Sequence, residues 1–156
     1  MFDDVSRTIL ETLMQSGRTT WAELSQHLGL SAPAVADRVR RLEDSGTIRG
    51  YAALVNPAAI GCGLTAFVHV TLDTPAHRKE FLDCVEHLDD VQECHHIAGK
   101  HDYLLKVRCA GTDDLDRVVS EELKAVPGVV RTHTTVVLKT LKESTRLPLT
   151  HLAGEG

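Results

Sequence analysis

A chain of 156 residues, 42% apolar and 25% charged, has a globular composition and room for one ordinary domain or two very small ones. No apolar run approaches the roughly 20 residues needed to cross a bilayer, and the acidic start Met1-Phe2-Asp3-Asp4 is unlike a secretion signal, so a cytoplasmic protein is expected. A net charge of −5 excludes a generally basic surface, so any contact with nucleic acid needs a local cationic patch.

From the N-terminus, Val5, Ile9, Leu10 and Leu13 share one helical face, which stops at Gly17. Thr20-x-x-Glu23 is a capping box: the hydroxyl satisfies an N-terminal amide while Glu23 reaches back. It starts a short second helix with Trp21, Leu24 and Leu28 turned inward, ended by Gly29. Ser31 caps a third helix, with Pro33 in its first turn, where a missing amide hydrogen costs little. Val35, Val39 and Leu42 form its inward stripe, and Gly46 closes it. Thr47 to Val55 alternates enough to be a strand or wing. Three short helices and a strand make a winged helix-turn-helix over residues 1–50. Residues 51–63 form a strand and hinge linker, punctuated by Asn56-Pro57 and by Gly61 and Gly63.

Residues 64–141 contain an internal repeat. Phe81, Val85, Leu88 and Val91 stand at offsets 0, +4, +7 and +10, and Val119, Leu123, Val126 and Val129 repeat those offsets. Each set ends a helix and enters a strand, and each follows a strand, Leu64 to Leu72 in one copy and Tyr103 to Cys109 in the other. The fold class is therefore α+β, with a C-terminal ferredoxin-like βαββαβ sandwich behind the helical head. Helices on one face leave the other bare, with residues such as Phe67 pointing outward, and self-association is the expected cover. Residues 142–156 form a C-terminal tail. Cys62, Cys84, Cys94 and Cys109 form no C-x-x-C pair and read as reduced thiols, not as a disulfide or zinc framework.

Ser31-x-x-x-Val35-x-x-Arg38-Val39-x-x-Leu42-Glu43 followed by Gly46-x-Ile48-x-Gly50-Tyr51 resembles the helix-turn-helix of the Lrp/AsnC, or feast/famine, regulators. Glu93-Cys94-His95, Gly99-x-x-Asp102-Tyr103-Leu104-Leu105 and Pro127-Gly128-Val129 resemble that family's C-terminal effector domain. Lys142-Glu143-Ser144-Thr145-Arg146-Leu147 is similar to the tail of its leucine-responsive branch. The resemblance implies a homodimer that can build to a tetramer or octamer, binds double-stranded DNA, and answers to an amino acid, with no catalysis and no cofactor.

Stepping about 100° per residue from Val35 turns Pro33, Ala34, Ala36, Asp37, Arg40 and Arg41 toward the groove. Arg40 and Arg41 have the donors for guanine O6 and N7, Ala36 can meet a thymine methyl, and Asp37 can accept from cytosine while repelling phosphate. Arg38 lies nearer the core edge, placed for a phosphate; Ser31 and Arg49 complete the candidate DNA-binding set. The plain reading is a solvated helix carrying an Asp37–Arg40 pair. Six arginines against seven carboxylates in residues 1–50 leave a single head weak, so linked copies must supply avidity.

The resemblance places the effector against the loop Gly99, Lys100, His101 and Asp102 and the last-strand residues Thr132 and Thr134. Asp102 would pair the ammonium of an α-amino acid, with loop amides and threonine hydroxyls on its carboxylate. The plain readings are a loop carboxylate capping its own turn and two strand-filling threonines. Three alternatives remain open at this point. Cys94, His96 and His101 form a metal sensor if the turn brings them together. The same architecture resembles sirohaem decarboxylases, for which His69, His95, His96, His101 and Arg108 offer carboxylate-holding groups. Third, the near-neutral head is a decayed DNA binder on an assembly module.

Overall fold

All three helices of the N-terminal half begin on a side chain that accepts a backbone amide proton. The structure, a computed structural model, describes residues 3–150. Helix α1 (Asp4–Gln15) starts at Asp3, whose carboxylate accepts from the Ser6 N–H at 2.8 Å. Helix α2 (Trp21–Leu28) starts on the expected capping box: the Glu23 N–H donates to Thr20 Oγ1 at 3.2 Å and the Thr20 N–H to Glu23 Oε2 at 2.7 Å. Helix α3 (Ala32–Asp44) starts at Ser31, whose Oγ accepts from the Ala34 N–H at 3.4 Å. Ile9, Leu10, Leu13, Leu24, Val35, Val39 and Leu42 are the buried core of this unit.

Two expectations for the head need correction. Trp21 is 37% exposed. It is the first residue of an eight-residue helix, so its indole reaches past the rim of a core that Leu24 fills. Thr47 to Val55 forms no strand. A strand needs a partner for its amides, and the described part of this unit offers none. The segment is held instead by the Ile48 N–H on the Leu42 carbonyl at 2.9 Å and by the Tyr51 hydroxyl on Glu43 Oε1 at 3.0 Å. Burial, and then the Glu43 carboxylate, push the Tyr51 phenol up to about 12. The tail from Lys142 groups with the head, and Leu149 packs against its core.

Val55–Leu141 is the second unit. Its elements are β1 (Leu64–Leu72), α4 (Arg78–Glu86), β2 (Val91–His96), β3 (Tyr103–Cys109), α5 (Thr112–Asp116) and β4 (Val129–Val136). Helix α5 runs on into a π-helical stretch, Arg117–Leu123. The strands pair antiparallel in the order β2-β3-β1-β4, the expected βαββαβ sandwich. Both copies of the repeat face the core: Phe81 and Val85 are buried with Val119 and Leu123, while Leu88, Val91, Val126 and Val129 pack at the margin.

Ala66, Val68 and Val70 face the helices and are fully buried. Phe67, His69 and Thr71 lie on the opposite face of β1, beside Leu104 and Lys106 of β3 and His133 and Thr135 of β4. At Gly128 the backbone has φ +87°, and a Cβ would lie 2.3 Å from His77 Nδ1, so only glycine fits before β4. All four cysteines are unpaired. Among the described residues no helix is long and apolar enough to cross a membrane.

Candidate DNA-binding helix and effector cavity

On α3, Val35, Val39 and Leu42 turn inward, leaving Pro33, Ala34, Arg40 and Arg41 exposed and Ala36, Asp37 and Arg38 half-buried. The outer face is the one the helical projection assigns. Its charges are tied to one another. Asp37 takes Arg40 Nη2 on Oδ1 and Arg41 Nη2 on Oδ2, each at 2.6 Å. Arg38 Nη1 pairs with Asp3. Hydrogen bonds from Ser6, and then the Arg38 guanidinium, hold the Asp3 carboxyl down at about 2. Arg49 is exposed beyond the end of α3, and the Ser31 hydroxyl is occupied as a cap.

The guanidinium side chains of Arg40 and Arg41 are 68% and 77% exposed, so these pairs are screened. Exposed pairs of this kind contribute about 0.2–1 kcal/mol, little against a guanine edge or a phosphate. One carboxylate thus holds two guanidinium groups side by side on the outer face of the helix.

In the second unit, Gly99, Lys100, His101 and Asp102 form the tip between β2 and β3. Asp102 Oδ2 accepts the Leu72 N–H at 2.8 Å, and the Asp102 N–H donates to the Val70 carbonyl at 3.0 Å. Asp102 therefore fastens the hairpin to the end of β1 and does not cap its own turn, as the plain reading would have it. It lines a cavity of about 350 Å³ with Leu72, Thr74, Arg78, His96 and Tyr103. Thr132 and Thr134 share a face of β4, opposite Val70 and Val68, and do not line this cavity. Gly99, Lys100 and His101 do not line it either; the His101 ring turns to the other face of the sheet, with Nδ1 3.0 Å from Thr71 Oγ1.

Arg78 and His96 are the chemically significant residues that sequence reasoning did not place at the effector site. Arg78 opens α4 and Asp102 opens the way into β3, so only the pairing of β1 with β3 brings them together.

Cys94 and His96 do share a face, opposite Leu105 and Tyr103, but His101 points away from them. Among the described residues no group of three or more His, Cys, Asp or Glu side chains is placed to hold a metal ion. Of the groups named for tetrapyrrole binding, His69, His95, His101 and Arg108 lie on the open face of the sheet and His96 on the other.

A family model described as "Lrp/AsnC ligand binding domain" matches residues 65–147, and one described as "Winged helix-turn-helix DNA-binding" matches residues 2–49. The chain is 41% identical over 147 residues to the leucine-responsive regulatory protein of Escherichia coli (strain K12), covering 93% of this chain and 90% of that protein. Among solved structures it is similar to a transcriptional regulator from Neisseria meningitidis in complex with L-methionine, at 34% identity and TM-score 0.93 over 97% of this chain and 99% of that one. Escherichia coli AsnC is 29% identical with TM-score 0.88, covering 95% and 99% of the two chains. A feast or famine regulatory protein from M. tuberculosis, solved with L-methionine, is 35% identical with TM-score 0.87, covering 94% and 99%.

Proposed function

The chain belongs to the Lrp/AsnC family of DNA-binding transcriptional regulators, and from that premise we propose how its two units recognise DNA and a ligand. Its relatives are named as regulators, which supports a regulatory and not an enzymatic role. Helix α3 lies in the major groove of double-stranded DNA, with Pro33 and Ala34 leading, Ala36 toward a thymine methyl, and Arg40 and Arg41 released by Asp37 to base edges. Arg38 and Arg49 meet phosphates, and Ser31 keeps the helix N-terminus closed. The observation that carries this reading is the placement of two exposed guanidinium groups on one carboxylate, opposite the Val35–Val39–Leu42 stripe. The intact caps of all three helices support a working head over a decayed one.

The protein acts in the cytoplasm as a homodimer or larger assembly, because a near-neutral head needs linked copies for affinity. Its effector is an α-amino acid. Asp102 takes the ammonium and Arg78, across the cavity, takes the carboxylate; the L-methionine complexes of two relatives support this ligand class. No cofactor is part of the proposal.

The test is DNA affinity with and without pooled amino acids for wild type, Asp102→Asn and Arg78→Gln. The Asp102→Asn change keeps an acceptor for the Leu72 amide while removing the charge. Loss of the amino-acid effect in both variants, with DNA binding intact, supports the site. A full response in both contradicts it.

A further inference from the structure

In the effector reading above, Asp102 takes the ammonium of an α-amino acid and Arg78 its carboxylate. The same cavity of about 350 Å³ has unused polar groups at one more place. His96 closes β2 and Tyr103 opens β3; the two are direct cross-strand partners, with ring centroids 5.2 Å apart, and both line the cavity. Tyr103 is only 3% exposed, its ring held in the core beside Phe81 at a centroid distance of 4.6 Å. Among the described residues, neither its phenol nor the His96 imidazole forms a hydrogen bond. A buried phenol normally finds a partner, and one without it in a cavity wall calls for an explanation.

The neighbouring polar walls are committed. Asp73 pairs with His77 at 2.8 Å, and Thr74 Oγ1 accepts the Ala76 N–H at 3.0 Å. Leu72 and Pro75 supply an apolar wall for an aliphatic stem.

We propose that His96 and Tyr103 select the effector's side chain, and that the effector is an α-amino acid ending in an uncharged hydrogen-bonding group, a hydroxyl or a carboxamide. This deepens the effector reading and rests on it. A hydroxyl or a carboxamide both donates and accepts, so it meets the phenol and either tautomer of the imidazole. An aliphatic or thioether side chain displaces water from both groups without replacing its hydrogen bonds, and a site lined by such groups rejects the analogue that leaves them unpaired. A charged end is disfavoured by the rest of the wall: a carboxylate meets Asp73 and Asp102, and a cation meets Arg78.

Matched pairs of amino acids separate this chemistry from size. L-Threonine and L-valine share a shape, as L-glutamine and L-methionine share a side-chain length. Calorimetric titration of the full chain with each of the four should show the polar member binding more tightly in at least one pair, by about three- to tenfold, the net worth of one hydrogen bond. Tyr103→Phe removes only the hydroxyl, and His96→Leu changes an exposed residue at the end of β2. Each should reduce that ratio, and the double variant should bring it to one or below. Asp102→Asn should weaken all four ligands alike and leave the ratio in place, as would any general disturbance of the cavity. Equal or tighter binding of both apolar members in wild type, or a ratio unmoved in the double variant, overturns the assignment of His96 and Tyr103 while the effector reading stands. Binding of none of the four overturns it as well, and the pooled amino-acid test then decides whether the effector reading falls with it.

Discussion

Asp37 carries the sharpest consequence at the scale of single residues. It neutralises Arg40 and Arg41 together, so Asp37→Ala should release two cations and tighten binding to random duplex DNA. Unchanged or weaker binding in a salt-controlled titration would argue against this orientation of α3. Arg40→Ala should lose about 1–3 kcal/mol on its preferred site and little on random sequence, whereas Arg38→Ala should weaken both alike. Competition between an operator and scrambled DNA separates the two. A helical projection was enough to find the Asp37–Arg40 pair, because both residues lie within one turn. The Arg38–Asp3 pair was hidden, since it depends on where α1 begins relative to α3. Gly128 makes a similar point about long-range contacts. Nothing in Pro127-Gly128-Val129 reveals that His77 closes over it; Gly128→Ala should drive a Cβ into that ring and lower the melting temperature by several degrees, at a cost on the order of 1–3 kcal/mol.

Elements were legible wherever local chemistry sets them. The capping box at Thr20 and Glu23 was readable because both partners sit within four residues, and it forms as drawn. Thr20→Ala should cost about 1 kcal/mol, read as a shifted urea midpoint at unchanged slope. The repeat of apolar offsets was readable because each copy lies in one short stretch of chain, and the βαββαβ unit it predicts forms; the strand order β2-β3-β1-β4 comes from the structure. Failures came where an element depends on something outside itself. Alternation in Thr47 to Val55 suggested a strand, but a strand exists only with a partner. Thr132 and Thr134 were correctly placed on one face, yet the cavity at Asp102 is completed by Arg78 from the start of α4. Periodicity also gave no sign of the π-helical stretch at Arg117–Leu123.

At the scale of the whole molecule, the net charge of −5 and the internally paired arginines make affinity a property of assembly. A single head whose guanidinium groups are already paired pays to exchange them, while several heads on one DNA share that cost through effective concentration. Binding should therefore fall steeply on dilution below the assembly threshold, which sedimentation at matched concentrations would detect. The central claim, a sequence-specific regulator answering to an amino acid, is tested most directly by mobility shift. The purified protein is titrated onto the DNA upstream of its own gene against competitor DNA at about 50 and 200 mM salt, with and without pooled amino acids. The account predicts a specific, salt-sensitive shift whose midpoint moves when the pool is added. Equal retention of upstream and competitor DNA at both salts, unmoved by the pool, would contradict it.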